Sequence, residues 1–345
     1  MFEGREEESL VSIIIPIRNE EKYLKGIFES LKGQNYSHEL LEVIFVDGNS
    51  EDKTIETIKK LKKEIDITIK IIKNFKKIIP ISMNLGIKEA KGEYIVRMDA
   101  HAEYNSEYIT EGIKLLEDKE ELVSVGGYLY IFPNESTIKA KITSKVFGSF
   151  LGTGNSRLRV NRLTIFKEGY NDTALYGIFR KVQLEKVNGY NEKLEVAQDI
   201  ELFDRLKKTF NGKIWLTNKM KIKYYFKPKN GKELFKRQLR ISLWTFKRNN
   251  GVRIRHIIPL VTGMLGIILL LFRIKILLLL MLLYILICIY FYVREIDSKK
   301  EVIYFPYAVY VYFINHLGYF LGTTISLIQN IKLKWEERYN KLYQE

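Results

Sequence analysis

The sequence predicts an α/β domain built on a mostly parallel sheet, followed by a C-terminal membrane region of two or three helices. Two observations carry the first half. Short β-branched runs at Val11 to Pro16 (VSIIIP), Leu41 to Val46 (LEVIFV) and Glu93 to Met98 (EYIVRM) alternate with helical spacings, as strands and crossover helices do. Each run stops at a polar cluster, PIRNE, VDGNSED or MDAHAE, and in open α/β sheets ligands lie beyond the carboxyl ends of the strands. The second half rests on His256 to Phe272 and Ile276 to Val293, which contain no Asp, Glu, Lys or Arg, and on Val302 to Gln329, interrupted only by His316. As helices rising ~1.5 Å per residue, the first two are marginally short for a ~30 Å hydrocarbon layer and the third is long enough. A pair of buried core helices is disfavoured, because LLLLMLLYILICIYFYV has no polar face.

Taken in order, the first strand is followed by Tyr23, Leu24, Ile27 and Leu31 at helical spacing, and the second strand is cut off by DGNS. Glu56 to Lys63 then reads as helix, Ile67 to Ile72 as extended chain, and Ser82 to Lys91 as a helix stopped by Gly92. The expected division is a soluble domain over 1–230, a basic interfacial helix over 231–254, a membrane region over 255–329 and a polar tail over 330–345. Gly318 and Gly322 in the third apolar stretch predict a break or a re-entrant turn there.

Charge places the flanks. The chain of 345 residues carries a formal +15, and Lys221 to Arg255 holds twelve Lys and Arg against one acidic residue, Glu233. That density beside an anchor is what the positive-inside rule and anionic headgroups favour on a cytoplasmic face, so membrane lipids are expected partners. The acidic start MFEGREEESL has no signal-peptide apolar core, and the first domain is expected to stay in the cytoplasm of a multi-pass protein. No nucleic-acid partner is expected, because no zinc-finger spacing, aromatic RNA-binding motif or helix-turn-helix accompanies the charge. The single Cys288 lies in an apolar stretch and supports neither a disulfide nor a thiolate nucleophile.

Neither a Gly-x-Gly-x-x-Gly after the first strand nor a P-loop is present, so phosphates must be held another way. Asp47 follows a strand directly and precedes Gly48, Asn49 and Ser50, which suits either a carboxylate meeting a base or sugar, or a plain DG turn before a helix begun by Asp52 and Thr54. Asp99 and His101 share a face if the strand continues past Met98, and both are ordinary ligands of a divalent ion such as Mg²⁺ or Mn²⁺ completed by diphosphate oxygens. In VAQDIELFDRLKK, Asp199 and Glu201 open a helix, where a carboxylate serves equally as general base or as N-cap. In ALYGIFRK, Gly177 before Phe179 and Arg180 either shapes a wall for an acceptor or marks a bulge.

Read together, VSIIIPIRNEEKYL, VIFVDGNSEDKT, NLGIKEAKGEYIVRMDAHAEY, YGIFRKVQLEKVNGYNE and QDIELFDRLKK resemble the inverting family 2 glycosyltransferases of GT-A fold, and within them the membrane-bound succinoglycan-biosynthesis-type subgroup. The resemblance runs from Val11 to Lys208. It implies that Pro16, Arg18 and Glu20 line the nucleotide pocket, that Asp47 meets the base, and that Asn84 and Asp99 join the nucleotide-sugar site. Asp99 matches the first Asp of the family's Asp-x-Asp metal motif, with His101 in place of the second. Asp199 matches the catalytic base, with Gln198 where the family carries Glu. FKRQLRISLWTFKR has Gln238, Arg240 and Trp244 but not the strict Gln-x-x-Arg-Trp spacing, which lowers the odds of processive synthesis and leaves an interfacial amphipathic helix as the other reading. Arg157, in SFLGTGNSRLRV, falls in an acceptor- or diphosphate-contacting loop or an ordinary surface loop.

The activity so implied is inverting transfer of a sugar from a nucleoside diphosphate sugar, a UDP-sugar by family habit, to a polyprenyl-linked saccharide, with Mg²⁺ or Mn²⁺ as cofactor. Two other readings remain at this point. A polyprenyl-phosphate sugar synthase would use the bare lipid phosphate as acceptor, and a non-catalytic membrane scaffold would need none of Asp47, Asp99 and Asp199.

Overall fold

The computed structural model describes residues 9–153, 158–160, 168–246 and 254–342. The apolar run Val11–Ile17 forms β1, whose side chains are buried except for a half-buried Pro16. Helix α1, Leu24–Lys32, buries Leu24, Ile27, Phe28 and Leu31, an i, i+3, i+4, i+7 stripe, and Phe28 stacks on Phe45 of β2, Leu41–Asp47, at 5.7 Å. Helix α2 (Thr54–Leu61), β3 (Thr68–Lys73), α3 (Ile79–Glu89) and β4 (Tyr94–Arg97) follow. Then come β5 (Ala102–Tyr104), α4 (Tyr108–Asp118) and the long strand β6 (Leu122–Pro133). Helix α3 starts three residues before the expected Ser82 and ends before Lys91, since Pro80 occupies its first turn, where a missing N–H costs nothing.

Beyond β6 lie α5 (Ile138–Gly148), the short α6 (Phe150–Thr153) and β7 (Arg159–Val160). The sheet is resumed by β8 (Gly169–Asn171) and β9 (Ile178–Arg180), then α7 (Lys181–Lys186), α8 (Gln198–Phe210) and β10 (Lys213–Phe226). Its order is β3-β2-β1-β4-β9-β6-β10-β5. Strands β1 to β4 are parallel to their neighbours among themselves, whereas β9 runs antiparallel to β4 and β6, and β10 to β5 and β8, so the sheet is mixed rather than fully parallel. The GT-A-like α/β architecture is the one expected.

The chain forms two units, Met1–Tyr130 with Ile165–Tyr224, and Ile131–Thr164 with Tyr225–Glu345. In the second, α9 (Gly231–Ser242) starts at a side-chain cap: Asn230 accepts from Glu233 N–H at 3.1 Å, and Glu233 accepts from Lys229 N–H, one residue before the cap, at 3.0 Å. Its Leu234, Gln238 and Ser242 are buried one turn apart, and Gln238 donates to Asn315 at 2.6 Å. The three apolar stretches are helices α10 (Ile254–Phe272), α11 (Ile274–Glu295) and α12 (Phe305–Leu342). Two segments, Ile274–Glu295 and Lys299–Leu333, are long and apolar enough to cross a membrane, whereas Ile257–Phe272 is shorter. The expected break at Gly318 and Gly322 does not occur: α12 is continuous, and the two glycines allow α9 to approach, since a Cβ would lie 3.0 Å from the Phe235 carbonyl at the first and 2.6 Å from that of Leu239 at the second.

Candidate active site

Two loops at the carboxyl ends of β1 and β2 are laced together. Asn19 N–H donates to Ser50 Oγ (3.0 Å), Asn19 Oδ1 accepts from Glu51 N–H (2.8 Å), and Glu20 N–H donates to Thr54 Oγ1 (2.9 Å). Asn19 and Asn49 both have positive φ, 54° and 62°, which asparagine tolerates better than most residues. Asp47 is buried at their centre, and its Oδ1 accepts from Ser50 N–H at 3.0 Å and Ser50 Oγ–H at 2.6 Å. The turn thus engages one carboxylate oxygen, and Arg18 stands exposed beside it.

The MDAH segment departs from the expected geometry. Strand β4 ends at Arg97, so Asp99 and His101 lie in a turn and not along one strand face. The turn forms because Ala102 N–H donates to the Asp99 carbonyl at 3.2 Å and Asp99 N–H to the Tyr104 hydroxyl at 2.8 Å. The His101 ring lies between Tyr23 and Tyr224, with centroids at 5.9 and 5.3 Å, and its Nδ1 is 3.5 Å from Glu20 Oε1. That nitrogen is buried and makes no hydrogen bond among the described residues.

Asp199 stands in the first turn of α8, but the helix is capped by Ala197 in the left-handed region (φ 66°) without a side-chain bond. Its carboxylate turns instead to Arg97, whose Nη1 donates to Asp199 Oδ1 while Nε lies 3.5 Å from Asp99 Oδ1. Arg97 is only 5% exposed, and Tyr176, over whose ring the guanidinium lies at 5.6 Å, and the neighbouring Tyr190 complete its surroundings. Burial alone would disfavour the charged guanidinium, but Asp199 first and Asp99 second hold it protonated. Burial raises the Asp199 carboxyl above the ordinary carboxylate range; Arg97 opposes this and the charge of Asp99 adds to it.

One guanidinium between two carboxylates leaves a negative charge over. Together with the buried oxygen of Asp99 and the unbonded His101 Nδ1, that donor set fits a hard divalent cation. No three metal-binding side chains gather among the described residues, and an ion completing its shell with phosphate oxygens needs only one or two.

Other expected residues have different neighbours. Both amide atoms of Asn84 are engaged by the α7–α8 loop: Nδ2 donates to the Tyr190 carbonyl (2.8 Å) and Glu192 (3.0 Å), and Oδ1 accepts from Tyr190 N–H (2.7 Å). It therefore fixes the loop that carries Tyr190, and a direct donor contact is not its evident role. Gly177 is a packing glycine, since a Cβ there would collide with Ser124 Oγ, and its carbonyl accepts from Arg97 N–H at 3.3 Å. Gln198 is buried at the start of α8. Gln238, the exposed Arg240 and the half-buried Trp244 belong to the second unit, and Arg157 lies outside the described residues. Arg97, Tyr176 and Tyr190 were not singled out by the sequence reading. The one available signal for Arg97 was a charge closing an otherwise apolar strand, YIVR.

Residues 12–181 match the family described as Glycosyl transferase family 2. A dolichyl N-acetyl-α-D-glucosaminyl phosphate 3-β-D-2,3-diacetamido-2,3-dideoxy-β-D-glucuronosyltransferase of Methanococcus voltae is 28% identical over 177 residues, 50% of this chain and 53% of that protein. The succinoglycan biosynthesis protein ExoA of Rhizobium meliloti is 28% identical over 223 residues, 63% of each. The matches thus span between about half and two-thirds of those relatives' lengths. Among solved structures, the mannosyltransferase PcManGT of Pyrobaculum calidifontis, in complex with GDP-Man and Mn²⁺, superposes with a TM-score of 0.61 at 13% identity, covering 94% of this chain and 88% of that one, a likeness of fold. By its matched residues and its GT-A-like sheet, the chain carries a glycosyl transferase family 2 domain.

Proposed function

We propose that this protein is an inverting glycosyltransferase that moves a sugar from a nucleoside diphosphate sugar to a lipid-linked saccharide during cell-surface glycan assembly. The observation that supports it best is the convergence of Asp99 and Asp199, 100 positions apart in sequence, on the single buried guanidinium of Arg97. The reading places a donor-side carboxylate, just past a strand end, next to a base in the first turn of a helix, which is what a one-displacement transfer requires.

Asp199 takes the proton of an acceptor hydroxyl as the oxygen forms its bond to the anomeric carbon, and the bond from that carbon to the diphosphate breaks on the opposite face. A carboxyl raised by burial is a stronger base than one in water, while its contact with Arg97 keeps the anion available. No protonating acid is needed, since a nucleoside diphosphate leaves as an anion, and the two-carboxylate arrangement of glycoside hydrolases does not apply. A divalent ion, Mg²⁺ or Mn²⁺, held by Asp99 and His101 would neutralise the departing diphosphate. Asp47, Glu20 and the laced loops around them would seat the nucleotide, with a UDP-sugar favoured and a GDP-sugar the competing donor.

The membrane reading rests on the two long apolar helices and on the basic stretch from Lys221 to Arg255. With that stretch on the cytoplasmic side, the catalytic domain meets a polyprenyl-linked acceptor at the cytoplasmic face. The names of the Methanococcus and Rhizobium relatives, one acting on a dolichyl-linked sugar and one in succinoglycan biosynthesis, support an acceptor of this class.

The test is a radiolabelled transfer assay with the full chain in nanodiscs, a panel of UDP- and GDP-sugars, a polyprenyl-lipid extract and Mn²⁺, with mass analysis of the lipid product. One sugar added to an oligosaccharide-lipid supports the proposal. Transfer to bare polyprenyl phosphate would replace it with a lipid-phosphate sugar synthase, and no transfer to any lipid from any donor would overturn it.

A further inference from the structure

We infer that Arg97 is the positioning residue of the transfer reaction, aiming the Asp199 carboxylate at the acceptor while its other edge faces Asp99 on the donor side. The inference rests on the reading of Asp199 as the base.

Four independent features hold the guanidinium. Its backbone is fixed by the parallel ladder, with Arg97 in register with Ile14, and by the hydrogen bond from Arg97 N–H to the Gly177 carbonyl. Its central carbon lies over the Tyr176 ring, at 5.6 Å from the centroid. Tyr190 is an electrostatic neighbour of the guanidinium and is itself anchored by the two backbone contacts to Asn84. Finally, Asp199 receives Nη1 while Nε points toward Asp99 without a hydrogen bond. A planar fork fixed on several sides can set a carboxylate's direction, whereas a Lys ammonium on the same stem is a single freely rotating charge.

A purely structural ion pair is the competing explanation, and on energetic grounds it is the weaker one. Burying an Arg–Asp pair returns little net stability compared with apolar packing, and here it occupies the end of a strand otherwise built from Tyr, Ile and Val. Asp199 lies two residues past the Ala197 cap position, where its charge suits the helix N-terminus, and its oxygen is taken by Arg97. The pair holds the base toward the MDAH turn.

The experiment compares Arg97→Ala, Asp199→Asn and the double variant in the nanodisc transfer assay, with donor binding measured separately by calorimetry. Arg97→Ala is expected to lower kcat by about 10²-fold, the cost of misplacing a reacting group by an ångström, with a much smaller change in donor affinity. Because Arg97 acts through Asp199, the double variant should be no slower than Asp199→Asn alone. Added guanidinium at millimolar concentration should restore part of the kcat of Arg97→Ala and nothing in the double variant. Multiplying effects in the double variant, or a wild-type kcat in Arg97→Ala, overturns the inference. If Arg97→Ala fails to fold, Arg97→Lys serves: roughly tenfold lower kcat at unchanged donor affinity supports the role of the fork, and a wild-type kcat refutes it. Full activity in Asp199→Asn would instead remove the base itself, an outcome distinct from any failure of Arg97.

Discussion

Ser50 gives both its backbone N–H and its hydroxyl to the same oxygen of Asp47, at 3.0 and 2.6 Å. Its hydroxyl also accepts from Asn19 N–H, so one small side chain joins the loop after β2 to the loop after β1. In the proposed nucleotide pocket this sets where the remaining Asp47 oxygen points. Ser50→Ala removes one bond to the carboxylate and one link between the loops. The loss of about 1 kcal/mol should appear as a roughly fivefold rise in donor KM with little change in kcat, measured by initial rates against donor concentration.

Asp199 supplies a pH prediction with a definite sign. A general base works deprotonated, so kcat/KM falls as pH drops through its pKa. Burial places that pKa above the usual carboxylate value, with Arg97 opposing, so the acid limb should begin at higher pH than for a solvent-exposed Asp. Asp199→Asn should lower transfer by roughly 10²-fold or more and abolish that limb in the residual rate, while donor still binds. A pH–rate profile of the two proteins decides it, and an unchanged profile in the variant would remove Asp199 from the role.

These two cases mark where the sequence is legible and where it is not. Strands β1, β2 and β4 are apparent as short β-branched runs, and the polar clusters that end them are the loops around Glu20, Asp47 and Asp99. Periodicity and turn chemistry are local, and local patterns are readable. The premature end of β4 at Arg97 depends on Tyr104 reaching back to Asp99 N–H, and the Arg97–Asp199 pair joins residues 102 positions apart. Contacts of that range leave no periodic trace. Asn84 shows the same limit from the other side: its motif position implied a ligand, and the fold uses its amide on Tyr190 and Glu192. Ile131–Thr164 likewise groups with the C-terminal half of the chain, although nothing in its composition sets it apart.

The proposed metal site predicts a graded response. Chelation should abolish transfer, and readdition of Mn²⁺ or Mg²⁺ should restore it. Asp99→Ala removes the charged donor and should eliminate metal-dependent donor binding. His101→Ala leaves that carboxylate in place and removes only the buried Nδ1, so the half-saturating Mn²⁺ concentration should rise by roughly tenfold, about 1.4 kcal/mol. Titration of Mn²⁺ against nucleotide binding, read by calorimetry, separates the two variants. Identical metal requirements in wild type and Asp99→Ala would place the ion elsewhere.

Gly322 tests the membrane-side packing independently of catalysis. Helices that meet through small residues can bring their backbones close, and here a Cβ at position 322 would stand 2.6 Å from the Leu239 carbonyl of α9, a distance that real Cβ atoms do not adopt. Backbone, unlike the end of a flexible side chain, cannot swing away, so the two helices must separate. Separation would also stretch the hydrogen bond from Ser242 to the Gly318 carbonyl (3.3 Å) and that between Gln238 and Asn315 (2.6 Å), which lie on the same seam. Gly322→Val is therefore expected to destabilise the protein by about 1–3 kcal/mol, the range for overpacking, seen as a lower melting temperature in detergent. Gly266, where a Cβ meets nothing within 4 Å, is the control on α10: Gly266→Ala should leave the melting temperature unchanged or slightly raised, since alanine is the better helix former. Equal melting behaviour of Gly322→Val and wild type would mean that α9 and α12 do not pack through this seam.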